Sequence, residues 1–489
     1  MTSSILPKNN SKLTYVLPYP AWKATTSPFN SDRLPNLTIM HQLVGTLVKY
    51  GNSGRFEPYL ADSWEVDPSG KNWIFRFRPN LFCEDGSPIE PVTYVRVLKR
   101  LLRSYAKNSP PVVFTKLEGW ESFLAGKDDA LGIVAKSNSE VTFSFQSKPL
   151  GLLDYLGMPY FGFYSEANFE GNEWKSSSQI ISSGAYSLSK FDLGKEVVLK
   201  KRDEWFSLMP NSPETVQVLF LDFEEGSKIP AKNTLLVTRL DGSEALPAGY
   251  TQVAGVPTIL TSIVLSPLRS TSPFTDLQFR RAFAKKLRDN QKLLNLKPGL
   301  SSVTQKFYPS WVGNETSVVQ VNIKKVPVKN VKTLKVMLHS SMPAQEKTYT
   351  KKLLSITLDE FSLPYEFVPE SEDLPIWEFD RTYDIRVPRV NVGGNLLSEA
   401  IRMMFCSRIG ISFPDPSGRI CQSTEQYESE QSSLSFQEYG DLFNRVLLED
   451  AAVLPLFNTG WTWFLSPEVS PQGVSPSMAV PRFDLLELI

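Results

Sequence analysis

Arg386, Arg389 and Asn391 lie along one stretch, Tyr383 to Val392, in which polar and apolar residues interleave as in a strand. The stretch breaks at Gly393-Gly394-Asn395, and Leu397, Ile401, Met404 and Phe405 then recur at helical spacing. A strand, a glycine turn and a helix N-terminus make a common place for a ligand, although glycine also makes a common turn.

Elsewhere the residue types that carry catalysis are sparse. Only two histidines occur, His41 and His339, in unrelated contexts, so a histidine-based zinc site or catalytic triad is not expected. Lys71, Lys127 and Lys195 each follow a glycine, yet none has the upstream glycine and following Ser or Thr of a phosphate-cradling loop. The adjacent carboxylates Asp128-Asp129 and Glu224-Glu225 have the spacing of loop decoration rather than of a shared reaction. An enzyme is therefore not expected, nor a metal or a cofactor.

Composition agrees with a globular chain. At 489 residues it predicts roughly three domains of ~150 residues. Its 52 basic and 52 acidic side chains cancel, so no global field attracts nucleic acid or anionic lipid. No apolar run reaches the ~18 residues needed to span a bilayer. The N-terminal MTSSILPKNNSK lacks the apolar stretch of a secretory signal. Of the three cysteines, Cys406 and Cys421 are spaced to close a short loop with Cys83 unpaired, and three separate thiols are an equal alternative.

The elements that must position these residues have readable periods. NWIFRFRPN alternates, and an Asp85-Gly86 turn follows it, which predicts strand and hairpin over residues 57–90. In TYVRVLKRLLRSYAK the period changes: Val95, Leu98, Leu102 and Tyr105 share a helical face and five basic residues occupy the rest. That basic side either grips phosphate or is solvated, and the neutral chain favours solvation. EVTFSFQS, GAYSLSKF, EVVLKKR and TVQVLFLD are further predicted strands. LKVMLHS, QEKTYTKKLLSITLDEF and LPYEFVPE then read as strand, helix and strand, a βαβ unit. Ser435 and Glu438 stand in capping-box register before an apolar helix through Leu442, Phe443, Val446 and Leu447. SPLRSTSPF, residues 266–274, is a candidate domain junction.

Four segments together resemble the peptide-binding class of extracytoplasmic solute-binding proteins of ABC importers, the dipeptide/oligopeptide-binding family 5. They are residues 27–89, SSGAYSLSKFDLGKEVVLKKRDEWF at 182–206, SPFTDLQFRRAFAKKL at 272–287 and EDAAVLPLFNTGWTWFLSPEV at 449–469, in the family's order across almost the whole chain. The resemblance implies an α/β bilobal periplasmic-binding-protein-like fold of type II, cluster C, with an extra domain inserted in the first lobe. Lobe I is then expected at 1–37, 169–261 and 467–489, the inserted β-rich domain at 38–168 and lobe II at 262–466.

The resemblance also sharpens the opening stretch. In the family's peptide binders, the strand after a Tyr-Asp pair carries a tryptophan and then an aspartate that pairs with the peptide's α-ammonium group. Those positions fall near Val390 and Gly393, so both anchors are absent here, and Gly394 and Asn395 carry no charge either. Asp384 before the strand end and Glu399 after it are the neighbouring acids. Arg386 and Arg389 either bring positive charge to the site or point into solvent. Family members commonly have Asn where this chain has Ser266, and they often carry a disulfide just past the anchor region, which favours a Cys406–Cys421 bridge and an oxidising compartment. A signal segment is then expected to lie outside this chain.

Tyr19 and Trp22, in a loop that lines the family's ligand site, and Trp461 and Trp463, near the return into lobe I, are aromatic candidates for the cleft or for core packing. The expected function is to capture a peptide or peptide-like small solute between two lobes and deliver it to a membrane permease. The expected protein is a periplasmic or cell-surface monomer with no nucleic-acid partner. A transport-independent ligand sensor or scaffold on the same fold is the alternative.

Overall fold

The computed structural model describes residues 11–17, 24–30, 34–51, 55–106, 112–127, 130–149, 151–221, 229–238, 249–294, 301–303, 332–339, 342, 344–370, 379–391, 401–406, 413–428, 436–474 and 480–489. Tyr19, Trp22, Gly393, Gly394, Asn395, Leu397, Glu399, Ser435 and the paired acids at 128–129 and 224–225 therefore lie outside the described residues. The chain forms two compact units. The first comprises Met1–Thr238, Glu244–Val256 and Trp461–Ile489, and the second comprises Arg239–Ser243 and Pro257–Gly460. Two of the crossings fall within the long strands Thr251–Leu265 and Val453–Leu465. The Ser/Pro segment 266–274 lies wholly inside the second unit.

The first unit is built on β1 (Lys12–Leu17), α1 (Leu34–Leu43), β2 (Ala61–Val66), β3 (Asn72–Phe77), α2 (Pro91–Ala106), β4 (Ile133–Ala135), β5 (Glu140–Ser144), β6 (Tyr186–Asp192), β7 (Glu196–Lys201), β8 (Thr215–Phe220) and β9 (Thr234–Thr238). Its main sheet runs β6-β7-β8-β1-β9 and continues to the end of Val453–Leu465. β1 lies between two parallel neighbours, β8 and β9. Such a strand is covered on both faces, and Leu13, Tyr15, Val16 and Leu17 are all buried. A second, antiparallel sheet has the order β2-β3-β5-β4. The alternation of NWIFRF puts Phe75 and Phe77 inside, with Phe75 edge-on to Phe143 at 5.6 Å.

α2 buries Val95, Leu98 and Leu102, as its spacing predicts, and Tyr94 as well, whereas Tyr105 at the end of the predicted face is half-buried. Its basic side is not simply solvated. Arg96 pairs with Glu166 at 3.1 Å, Arg100 lies 4.9 Å from the Phe169 ring and Arg103 lies 4.5 Å from the Phe123 ring. Long cationic side chains cover apolar surface with their stems while meeting rings with their heads, so charge on a helix face does not by itself mean solvent.

The SSGAY motif at 182–186 has a local physical reason. The Leu43 carbonyl at the end of α1 accepts from Ser182 Oγ at 2.7 Å and from the Gly184 N–H at 3.0 Å, which satisfies a helix-end group that has no partner of its own. A Cβ on Gly184 would stand 2.3 Å from the Gln42 carbonyl oxygen, so only glycine permits this approach.

The second unit contains β10 (Thr251–Leu265), α3 (Leu277–Leu293), β11 (Leu334–Leu338), α4 (Ala344–Glu360), β12 (Tyr365–Val368), β13 (Ile385–Val387), β14 (Arg389–Asn391), α5 (Arg419–Glu428), α6 (Phe436–Asp450) and β15 (Val453–Leu465). β11, α4 and β12 form the predicted βαβ unit, with the two strands parallel. β13 lies parallel to β11 and antiparallel to β10, pairing Arg386 with Val264. β14 pairs Asn391, Val390 and Arg389 with Ile259, Leu260 and Thr261. The two-residue period sorts this sheet into two cores. Ile263, Leu265, Ile385 and Val387 pack with Leu353, Leu354 and Leu358 of α4. Leu260, Val264 and Val390 pack with Tyr439, Phe443 and Val446 of α6. Ile401, Met404 and Phe405 join that second core, and the chain ends this stretch in a π-turn, Arg402–Cys406.

A disulfide joins Cys406 to Cys421 of α5 with a Cα–Cα distance of 5.5 Å, and Cys83 is a buried thiol. Among the described residues no helix is long and apolar enough to cross a membrane.

Candidate functional site

The strand that opened the sequence argument is divided at Pro388 into β13 and β14. Proline lacks an N–H and cannot complete the ladder, so the break is local chemistry. Three positions separate Arg386 from Arg389, an odd number, and the two guanidinium groups emerge on opposite faces of the sheet. Neither points into solvent. Arg386 is 2% exposed, and its Cζ lies 5.5 Å from the ring of Phe413, on the α6 side. Arg389 lies on the α4 side, with Nη2 3.6 Å from Glu346 Oε2.

Glu346 belongs to the first turn of α4, where the helix N-terminus also favours an anion. Around this pair, Arg389 Nε donates to Thr261 Oγ1 at 3.3 Å, and Thr261 Oγ1 donates to Glu346 Oε2 at 3.4 Å. Thr459 Oγ1 of β15 donates to Glu346 Oε1 at 2.9 Å. The result is a buried, charge-balanced group drawn from four elements of the second unit. Asp384 is occupied as well: its carboxylate forms an ion pair with Arg269 and accepts the Lys335 N–H at 2.9 Å. No period in the sequence pointed to Glu346 or Thr459, because their partners come from other elements.

Val390, expected near the family tryptophan position, is buried in the α6-side core. Asn391 ends β14, paired with Ile259 through the backbone. Trp461 and Trp463 are both buried in the first unit, and the Trp463 ring stands 6.5 Å from that of Tyr15. Trp463 is 0% exposed, which makes it a core side chain in this conformation. The family resemblance brought these residues forward together, whereas the structure divides them between two units and several cores.

The first unit holds a second buried charged group that sequence reasoning missed. Arg482 donates to Asp484 through Nε at 2.9 Å and through Nη2 at 2.8 Å, and its guanidinium lies 4.3 Å from the Tyr59 ring. Ser207 Oγ also donates to Asp484, and Trp205 Nε1 donates to Tyr59 Oη at 3.0 Å. Burial alone would raise the Asp484 carboxyl, but the Arg482 charge and the hydrogen bonds from Arg482 and Ser207 hold it below its ordinary value. Burial, helped by the Arg482 charge and opposed by Asp484, lowers His41 to about 3. The same burial raises Tyr59 to about 12. Gln42 completes the group by donating to the Pro481 carbonyl at 2.8 Å and accepting the Phe483 N–H at 3.2 Å. The arrangement ties the C-terminal segment to α1 and offers no exposed reactive atom.

The sequence model of the bacterial extracellular solute-binding proteins, family 5, matches residues 55–314. The periplasmic oligopeptide-binding protein OppA of Haemophilus influenzae is 21% identical over 212 residues, 41% of this chain and 38% of that protein. The nickel-binding periplasmic protein of Escherichia coli is 22% identical over 194 residues, 39% of this chain and 34% of that protein. The matched stretches thus span little more than a third of these relatives' lengths. Over the full fold, the structure is similar to that of the Escherichia coli murein tripeptide binding protein MppA. That likeness has a TM-score of 0.76 at 14% identity and covers 99% of both chains.

Proposed function

The chain belongs to the bacterial extracellular solute-binding proteins, family 5, and from that premise we propose that it captures a peptide-like or small solute outside the cytoplasm for an ABC permease. One observation carries the choice of solute. The carboxylates around the strand that would anchor a peptide's amino terminus are already engaged within the protein, Glu346 by Arg389 and Asp384 by Arg269. Gly393 brings no carboxylate to the usual position. Taking an ammonium group out of water without a counter-charge costs several kcal/mol. The preferred solute is therefore neutral, anionic or N-terminally blocked. Names among the relatives support a wide chemistry, since they record oligopeptide, nickel and deoxycholate binding.

The lobes and inserted domain are placed at the boundaries that the family order implies, and capture proceeds by a hinge equilibrium biased by contacts with the solute. Tyr19, Trp22 and the Gly393-Gly394 turn remain the proposed contacts. Calorimetry against free-amine tripeptides, their N-acetylated forms and oligosaccharides tests the reading. Free-amine peptides should bind weakly or not at all. Submicromolar binding of ordinary tripeptides that N-acetylation abolishes would show that a substitute acid exists and that the assignment at Gly393 is wrong.

A further inference from the structure

In the sheet of the second unit, two neighbouring parallel strands send the chain to opposite faces. β11 is followed by α4, which packs on one face through Leu353, Leu354 and Leu358. Its neighbour β13 runs on through Pro388 into β14, and the chain returns on the other face, where Ile401, Met404 and Phe405 join the α6-side core. Where the connections of adjacent parallel strands part in this way, a crevice opens at their carboxyl ends, the general place for a ligand in an α/β sheet. His339 is the first residue past β11 at this point, and its N–H donates to the Val387 carbonyl at 3.1 Å. Glu370 stands at the same edge, just past β12, with Oε1 4.0 Å from His339 Nε2. Each of these two side chains is 22% exposed, whereas those of Arg389 and Glu346 are 1% and 3% exposed. Of the two pairs, the accessible one contains a histidine.

Among the described residues, the other charged groups on the elements packed around this edge are Glu346 and Arg389, which balance each other, Lys347 in the same turn of α4, and Lys351, which lies 5.3 Å from the Phe367 ring of β12. Arg386 is on the α6 side, and Lys335 and Glu366 are level with each other at the opposite end of their strands. Histidine is the side chain whose charge ordinarily changes between about pH 5 and 8. With a neutral imidazole the His339–Glu370 pair carries one negative charge and repels an anionic solute. With an imidazolium the pair carries none.

We infer that His339 makes the capture of anionic solutes pH-dependent, with Glu370 as the charge it must cancel, an inference that rests on the solute reading above. The test compares N-acetylated tripeptides that keep their carboxyl end with the same peptides amidated, by calorimetry at about pH 5.5 and 7.5. The anionic form should bind roughly tenfold more tightly at the lower pH, the worth of one nearby charge at a protein surface, and the amidated form should not change. His339→Gln should abolish that gain and hold the anionic form at its weaker affinity, while Glu370→Gln should raise its affinity at the higher pH. A ligand-free measurement checks the pair itself. His41, the other histidine, is buried and lowered to about 3, so the imidazole resonance that titrates near neutrality belongs to His339. Glu370→Gln should move that titration to lower pH, and an unmoved titration would overturn the inference. An acidic gain that persists in His339→Gln would also overturn it while leaving the solute reading intact. If neither acetylated form binds at either pH, both fall.

Discussion

Among the described residues, Arg482–Asp484 in the first unit and Arg389–Glu346 in the second are buried arginine–carboxylate pairs that are made differently. In the first, Arg482 and Asp484 meet through two bonds of 2.9 and 2.8 Å, with Ser207 and the Tyr59 ring filling the remaining directions. In the second, Arg389 and Glu346 stand 3.6 Å apart, beyond hydrogen-bond distance, with threonine hydroxyls at 2.9, 3.3 and 3.4 Å around them. Charged groups in the interior recover their lost hydration only through close, directed contacts. The first pair has those contacts and fixes the C-terminal segment against Ser207 and Tyr59. The second draws on four elements, and its contacts tie β14 to α4, β10 and β15.

The largest effect should follow from breaking the tighter pair. Asp484→Asn leaves the Arg482 guanidinium buried without its counter-charge and should cost about 3–5 kcal/mol in denaturant unfolding. A loss below about 1 kcal/mol would mean that the pair does not lock the segment. Glu346→Gln should cost less, about 2 kcal/mol, because its ion pair is the longer, 3.6 Å against 2.8 Å, and adding Arg389→Gln should recover part of it. Equal costs for Asp484→Asn and Glu346→Gln would erase the distinction between the pairs.

Acid should act on the first unit before the second. Folded His41 stands at about 3 against an ordinary 6.5, lowered first by burial and then by Arg482. Below pH 6.5 the unfolded chain binds a proton that the folded chain refuses, so stability falls as the pH drops from 6.5 towards 3 and is flat above that window. The slope from this group is at most ~1.4 kcal/mol per pH unit. Asp484, held low, adds to the loss only at more acidic pH. His41→Gln should flatten the denaturation midpoint between about pH 6.5 and 5; an undiminished slope would place the titrating group elsewhere. The smallest effect is expected from Thr459→Val, about 1 kcal/mol for one hydrogen bond to Glu346. No measurable change would show that Thr261 and Arg389 hold Glu346 without it.

Much of the local structure was legible in the residues. The alternation in NWIFRF, the change of period at α2 and the strand–helix–strand rhythm from Leu334 to Val368 all follow from which neighbours share a face. Family resemblance placed the Cys406–Cys421 bridge, which spacing alone left open. The basic side of α2 is only partly solvated as expected: Arg96 is exposed, while the aromatic partners of Arg100 and Arg103, Phe169 and Phe123, lie on other segments.

For the candidate site, the sequence by itself determined the parity that sends Arg386 and Arg389 to opposite faces, the break at Pro388 and the lack of a carboxylate at Gly393. Each is a property of a few consecutive residues. Only the tertiary structure decided that Glu346 of α4 meets Arg389 of β14, and that Tyr59 meets Arg482 and Asp484. A charge in the sequence carries no mark of its partner; that choice is made when separate hydrophobic faces pack and close the low-dielectric space in which two particular charges must balance each other.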